Sequence, residues 1–281
     1  MPPPTDERSA LPAPQPPALT RELTILEASS SDFSDIEVHQ LRRRRSLVFL
    51  RDDRSELVQT AIDVNEADRL ILPYAQAQAA GLLFAPDPSR VLVLGLGGGT
   101  LPRFFHRTIG EVEIDAVEID PRVVQMASKW FGIQAGPRMR VYTEDAIAFI
   151  ERNSQRYDLI YVDTFLEPNA DGADNSGIPL ALRKRAILEG LRAGLSPAGA
   201  VLFNLHFRSG YAEQAAAIAE VFPRRYMVKV AGSTQRHIIG IADSVPELSV
   251  EELAERAAIL DKDGRFGVDF SALVGKMSAL E

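Results

Sequence analysis

The 281-residue sequence contains no cysteine, which excludes disulfides, iron–sulfur clusters and thiolate zinc sites together. Histidine is scarce as well. His39, His106, His206 and His237 are scattered, with no pair at i, i+4, and this predicts that no metal is bound. No stretch approaches the roughly 18 apolar residues that span a bilayer, so no membrane partner is expected. A basic surplus is also missing. The 31 Lys and Arg face 39 Asp and Glu, giving a formal net charge of -8, the wrong sign for a general nucleic-acid binder. The lack of thiols and of an apolar leader segment fits a cytoplasmic protein.

What the chain has in excess at its start is proline, seven in the first 17 residues. That composition predicts a disordered tail over residues 1–20. Four short runs follow, Glu22–Glu27, Ile36–Leu41, Ser46–Arg51 and Glu56–Ile62, which predict a small N-terminal β-rich domain over 21–63 with a turn at Asp52-Asp53. The run Arg42–Arg45 reads as the solvated end of a hairpin, since the acidic total disfavours a nucleic-acid patch. From Asn65 to about Phe84 the apolar spacing turns helical, with Leu70, Ile71, Tyr74, Ala77 and Ala80 at three- and four-residue steps.

Strands then alternate with helices. Strands are predicted over Arg90–Leu94, Val112–Ile119, Met139–Tyr142, Tyr157–Val162 and Ala200–Leu205, and helices over Leu101–Arg107, Pro121–Phe131, Ala146–Arg152, Pro179–Leu195 and Tyr211–Phe222. Tyr226–Val230 and His237–Ala242 lie too close for a helical crossover and must pair antiparallel. The outline is α/β: a Rossmann-like, class I methyltransferase-type doubly wound sheet over 64–243, mostly parallel with a C-terminal antiparallel hairpin. A helix over Val250–Leu260 opens a C-terminal helical extension, 244–281.

Val91–Leu94 runs directly into Gly95-Leu96-Gly97-Gly98-Gly99. A strand that ends in glycines and turns into a helix lets backbone approach a ligand where a Cβ would collide. Glu118 ends the next strand, about where a ribose-binding carboxylate sits in such sheets, and Asp120 precedes Pro121 at the following helix start. Thr100 stands where the dinucleotide fingerprint wants a small residue. Asp145-Ala146 ends the third strand and Asp163 the fourth, so further carboxylates face the cleft. This pattern favours an adenosyl-sulfur ligand.

These residues resemble the spermidine synthase, or polyamine aminopropyltransferase, family, and most closely its divergent bacterial spermidine synthase-like branch. The likeness runs from about Ile36 to Ala242 and is carried by Leu57–Thr60, Tyr74, Val91–Gly99, Val117–Asp120, Asp145-Ala146 and Tyr157–Asp163. It implies that Gly95, Gly97, Gly98 and Gly99, with Glu118, Asp120, Asp145 and Ala146, hold decarboxylated S-adenosylmethionine or S-adenosylmethionine. It also implies that Gln59 and Tyr74 line the site of a small-molecule amine substrate and that Asp163 is the catalytic base; Glu167, from the acidic loop that follows, is a further candidate for binding the amine, and a homodimer is expected. The chain departs from the family at Gly98, where the family has an aspartate in the glycine loop, at Leu70, Ile71 and Gln76 around the tyrosine, and at Thr164–Pro168 after the catalytic aspartate.

The implied activity is aminopropyl transfer to an amine such as putrescine, with release of methylthioadenosine. Methyl transfer from S-adenosylmethionine on the same scaffold is the alternative, and a non-catalytic nucleoside-binding relative is a third. The loop Thr164–Gly177 carries Glu167, Asp171 and Asp174 without a base and is expected either to close over a polyamine or to be a solvated acidic loop.

Overall fold

The computed structural model describes residues 22–51, 55–166, 170–207 and 210–280; the proline-rich segment 1–20, the Asp52-Asp53 turn and Glu167 lie outside them. Four strands form an antiparallel meander: β1 (Thr24–Ser30), β2 (Asp35–Leu41), β3 (Arg44–Leu50) and β4 (Glu56–Asp63). β2 and β3 meet in a tight turn at Arg42 and Arg43, with Arg42 left-handed at φ 51°. The arginine run is therefore a hairpin end. Ile36, Val38, Leu47 and Ile62 from this sheet pack on Val123, Met126 and Phe131 of α3 (Pro121–Phe131).

The second sheet has eight strands. Five are parallel: β5 (Arg90–Leu94), β6 (Glu113–Glu118), β7 (Met139–Thr143), β8 (Tyr157–Val162) and β9 (Leu195–His206). β10 (Arg225–Lys229), β11 (Gln235–Ile241) and β12 (Met277–Leu280) are antiparallel, and the order is β12-β10-β11-β9-β8-β5-β6-β7. Continuous apolar runs such as Val91–Leu94 and Leu159–Val162 are buried, as expected for strands covered on both faces. The covering helices include α2 (Thr100–Thr108), α4 (Ala146–Arg152) and α6 (Tyr211–Val221).

Three sequence expectations change. The helix predicted from Asn65 starts only at Pro73: α1 (Pro73–Gln78) continues into a 3-10 turn at Ala79–Leu83. Leu72 is extended (φ -86°, ψ 137°) because the residue before proline is pushed out of the helical region. The helix predicted over Pro179–Leu195 is a 3-10 turn, Leu180–Arg183, followed by α5 (Arg185–Ala193), with extended Lys184 between them. The C-terminal segment adds α7 (Val250–Asp263), α8 (Phe270–Val274) and edge strand β12. α7 starts in a capping box, with Ser249 bound to the Glu252 N–H and the Glu252 carboxylate to the Ser249 N–H. β12 escaped the sequence reading because its short Met277–Leu280 run is half-exposed and shows no apolar alternation.

Candidate active site

β5 lies between β6 and β8, so the loop after β5 has the end of β6 on one side and the end of β8 on the other. Gly95, Gly97 and Gly99 have positive φ (92°, 51° and 72°), conformations that cost other residues strain. A Cβ on Gly95 would lie 2.2 Å from the Asp163 carbonyl oxygen, so glycine is what lets the two strand ends meet. All five loop N–H groups bond inside the protein. Gly95 donates to Val117 O (2.8 Å) and Gly99 to Leu96 O (2.8 Å). Leu96 and Gly97 donate to Glu118 Oε2 (3.0 and 3.3 Å), and Gly98 donates to Thr60 Oγ1 (2.9 Å).

A cavity opens over this loop, lined by Gly95, Leu96 and Gly97, by Glu118, Asp145, Ala146 and Asp163, and by Phe49, Gln59, Thr60 and Tyr74 from the N-terminal segment. Gly98 and Gly99 do not line it, contrary to the sequence reading. A Cβ on Gly98 would meet Thr60 Cγ2 at 2.6 Å, and one on Gly99 would meet Ile133 at 2.3 Å. Both positions are closely packed against these neighbours.

Glu118 and Asp120 part company. Glu118 faces the cavity, and burial raises its pKa against three backbone donors, the N–H groups of Asp120, Gly97 and Leu96. Oε2 takes two of these bonds and Oε1 only that of Asp120 (3.1 Å). A carboxylate oxygen accepts about two hydrogen bonds, so Oε1 keeps a place for a ligand hydroxyl. Asp120, also read as a cofactor ligand, is 2% exposed and turned away. Its Oδ1 caps α3 through the Arg122 N–H (2.8 Å), and its Oδ2 accepts the Ser31 and Ser34 hydroxyls (2.6 and 2.8 Å). It ties the β1–β2 turn to the second sheet. Asp145 caps α4 with Oδ1, accepting from Ile147 and Ala148 (2.6 and 3.1 Å), and shares the cavity wall with Ala146.

On the other side, Asp163 is held by two neutral amides. Gln78 Nε2 donates to Oδ2 (2.9 Å) and Asn204 Nδ2 to Oδ1 (2.7 Å). Burial drives the Asp163 pKa above the ordinary aspartate range, against the pull of both amides. Gln78 and Asn204 are 1% and 4% exposed, and the sequence reading missed both. His237, opposite Asn204 in the β9–β11 ladder, is fully buried, and burial pushes its pKa down to about 3. It brings no positive charge. Tyr74 donates its hydroxyl to the Gln59 carbonyl oxygen, and burial, with the neighbouring Asp163 charge, keeps that phenol protonated.

The described residues after Asp163 are tied together. Leu166 N–H donates to Gly177 O (2.7 Å), Ala173 bridges to Pro179, and Thr164, Phe165, Leu166 and Pro179 line the cavity. Asp174, read as one of three acids of a closing loop, is spent within the segment. It accepts the Ser176 and Ile178 N–H groups and pairs with Arg183 at 2.6 Å. Asp171 is exposed and outside the lining. Among the described residues, the cavity wall carries Glu118, Asp145 and Asp163 but no Lys, Arg or His.

The sheet order and the glycine loop place this chain among Rossmann-like, methyltransferase-type transferases. Residues 78–200 match the spermine/spermidine synthase domain. The chain is 34% identical over 242 residues to a polyamine aminopropyltransferase of Vibrio vulnificus, covering 84% of this chain and 78% of that protein. Human methyltransferase-like protein 13, solved in complex with SAH, is 30% identical over 69% of this chain and 89% of its own, with a TM-score of 0.59. A probable spermidine synthase from Corynebacterium glutamicum shares the fold at 17% identity, with a TM-score of 0.65 over 83% of this chain and 87% of its own. The chain belongs to the spermine/spermidine synthase family and is an enzyme of the transferase class.

Proposed function

We propose that this enzyme moves an aminopropyl group from decarboxylated S-adenosylmethionine to an amine acceptor and releases methylthioadenosine. The observation that carries this reading is the cavity's donor set: among the described residues three carboxylates line it without a base, and all five N–H groups of the glycine loop are bound internally. A cationic ligand suits such a wall. The carboxylate of intact S-adenosylmethionine would meet neither a cationic side chain nor a free loop N–H, and a buried anion without partners is costly.

In this reading Glu118 Oε1 accepts a ribose hydroxyl, and the adenine lies against Asp145 and the Ala146 backbone. Gly95 and Gly97 allow the thioether end to pass close to the loop. The acceptor ammonium enters beside Asp163, which attracts it and takes its proton. The freed nitrogen lone pair then attacks the methylene next to the sulfonium. The C–N bond forms, the C–S bond breaks, and its electron pair stays on sulfur as the neutral thioether. Holding the two reactants in line supplies several kcal/mol of the barrier. Gln59 and Tyr74 form the wall facing Asp163.

Methyl transfer from intact S-adenosylmethionine is the second reading, favoured by the 30% identity to methyltransferase-like protein 13. One assay separates the two. The protein is incubated with an amine set and each donor separately, and the nucleoside product is identified. Aminopropyl transfer yields methylthioadenosine from the decarboxylated donor. S-adenosylhomocysteine from the intact donor, with no methylthioadenosine, would overturn the proposal.

A further inference from the structure

β4 is not a regular strand. Against β3 its register runs Val58 opposite Val48 and then Thr60 opposite Leu47, which leaves Gln59 without a partner. A bulge of this kind takes one residue out of the ladder and re-aims its neighbours. The Gln59 carbonyl accepts the Tyr74 hydroxyl, and Thr60, 3% exposed, reaches the glycine loop. Thr60 Oγ1 accepts the Gly98 N–H at 2.9 Å. Glycine at 98 is what permits the approach, since a Cβ there would stand 2.6 Å from Thr60 Cγ2. The Thr60 hydroxyl also hydrogen-bonds the Tyr74 phenol, which stands near enough to Asp163 to feel its charge. A hydroxyl has one proton to give. Thr60 gives its proton to Tyr74 and Tyr74 gives its own to Gln59, so the chain from Gly98 to Gln59 runs in a single direction.

We infer that Thr60 is a positioning residue: its hydroxyl ties the loop under the donor nucleoside to the tyrosine that faces Asp163, and so aligns the two reactants. This deepens the aminopropyl-transfer reading and rests on it. Gly98 belongs to the same loop as Gly95 and Gly97, which line the donor end of the cavity, while Tyr74 belongs to the wall on the Asp163 side. Displacement in line is sensitive to such alignment, and a misplacement of about 1 Å can cost on the order of 10²-fold in rate. In this reading the nucleoside is gripped elsewhere, by Glu118 and by Asp145 with Ala146. Loss of the Thr60 hydroxyl should therefore slow transfer more than it weakens binding.

Thr60→Val keeps the shape and removes the hydroxyl, and Thr60→Ser keeps the hydroxyl and removes the methyl group. The test compares the full-length variants in kcat for methylthioadenosine release from decarboxylated S-adenosylmethionine, with the amine that the wild type uses best. Methylthioadenosine Kd is measured on the same proteins by calorimetry. Thr60→Val should lower kcat by about tenfold or more while Kd stays within about threefold of the wild type, and Thr60→Ser should keep a near-normal kcat. A cycle with Tyr74→Phe reads the link itself, because groups that act together are not additive. In the Tyr74→Phe background Thr60→Val should cost little more. A near-normal kcat in Thr60→Val, equal slowing by Val and Ser, a Kd that weakens in step with kcat, or full additivity with Tyr74→Phe each overturns the inference and leaves the transfer reading standing. Absence of methylthioadenosine from the wild type with every amine removes both.

Discussion

The two sides of the glycine loop hold their carboxylates by different means. On the β6 and β7 side, Glu118 and Asp145 are gripped by backbone N–H groups of the glycine loop and of the α4 start. On the β8 side, Asp163 is gripped by the side-chain amides of Gln78 and Asn204, 85 and 41 residues away in sequence. Backbone donors fix a carboxylate as part of the loop it supports. Neutral side-chain amides hold it in place and lower its pKa only part of the way against burial, which raises it. Burial raises the pKa on both sides; in the proposed mechanism the first arrangement docks the nucleoside and the second holds the group that takes the proton.

The largest effect should come from the β8 side. Asp163→Asn keeps the size but removes charge and basicity, so turnover should fall by roughly 10²–10⁴ while nucleoside binding changes little. Near-normal turnover of the variant with any amine would break the contrast between the two sides.

The β6 side should respond in binding. Glu118→Ala should weaken methylthioadenosine binding by about 1–3 kcal/mol, measured by calorimetry, because a hydroxyl acceptor and the anchor of two loop N–H groups go together. Asp120→Ala, two residues on, should lower folding stability by about 1–3 kcal/mol by orphaning the Ser31 and Ser34 hydroxyls and the Arg122 N–H, with nucleoside affinity unchanged. Loss of affinity in a folded Asp120→Ala protein would return Asp120 to the site.

A third comparison concerns pH. As the proposed base, Asp163 would have to be ionised to take a proton, and burial raises its pKa. Activity should therefore fall on acidification at a higher pH than an ordinary aspartate near 3.9 would give. Each amide bond to Asp163 lowers that pKa. Asn204→Leu removes one, so the acid limb of the pH–rate profile should move to higher pH. A limb that stays put would mean the amide does not tune the carboxylate.

The smallest effect is steric. Gly98→Asp should lower the melting temperature, since its Cβ would meet Thr60 Cγ2 at 2.6 Å, and overpacking costs typically 1–3 kcal/mol. Thr60→Ala in the same chain removes that contact and should recover part of the loss. Full stability of Gly98→Asp alone would show that Thr60 yields easily.

Legibility in the sequence follows the same divide. The parallel strands, the glycine loop and the carboxylate at the end of β6 were readable because each is encoded within a few residues: an apolar run, a turn that needs positive φ, an acid at a strand end. Asp120 enters the site reading with the Val117–Asp120 stretch that carries the resemblance, next to Glu118 and just before Pro121. The strand has already ended, and Asp120 turns instead to cap α3. Gln78 and Asn204 were not legible at all, since a buried amide inside an apolar helix or strand carries no periodic signal. What marks them is the Asp163 carboxylate between them, and only the folded sheet brings the three together.

Among the described residues the cavity wall offers carboxylates and no base, and the loop N–H groups are already bound, so the proposed donor is a nucleoside without a carboxylate. Titration calorimetry on the full-length protein, comparing decarboxylated with intact S-adenosylmethionine under one buffer and salt condition, tests it most directly. The decarboxylated form should bind at least tenfold more tightly. Equal or tighter binding of the intact form would contradict it.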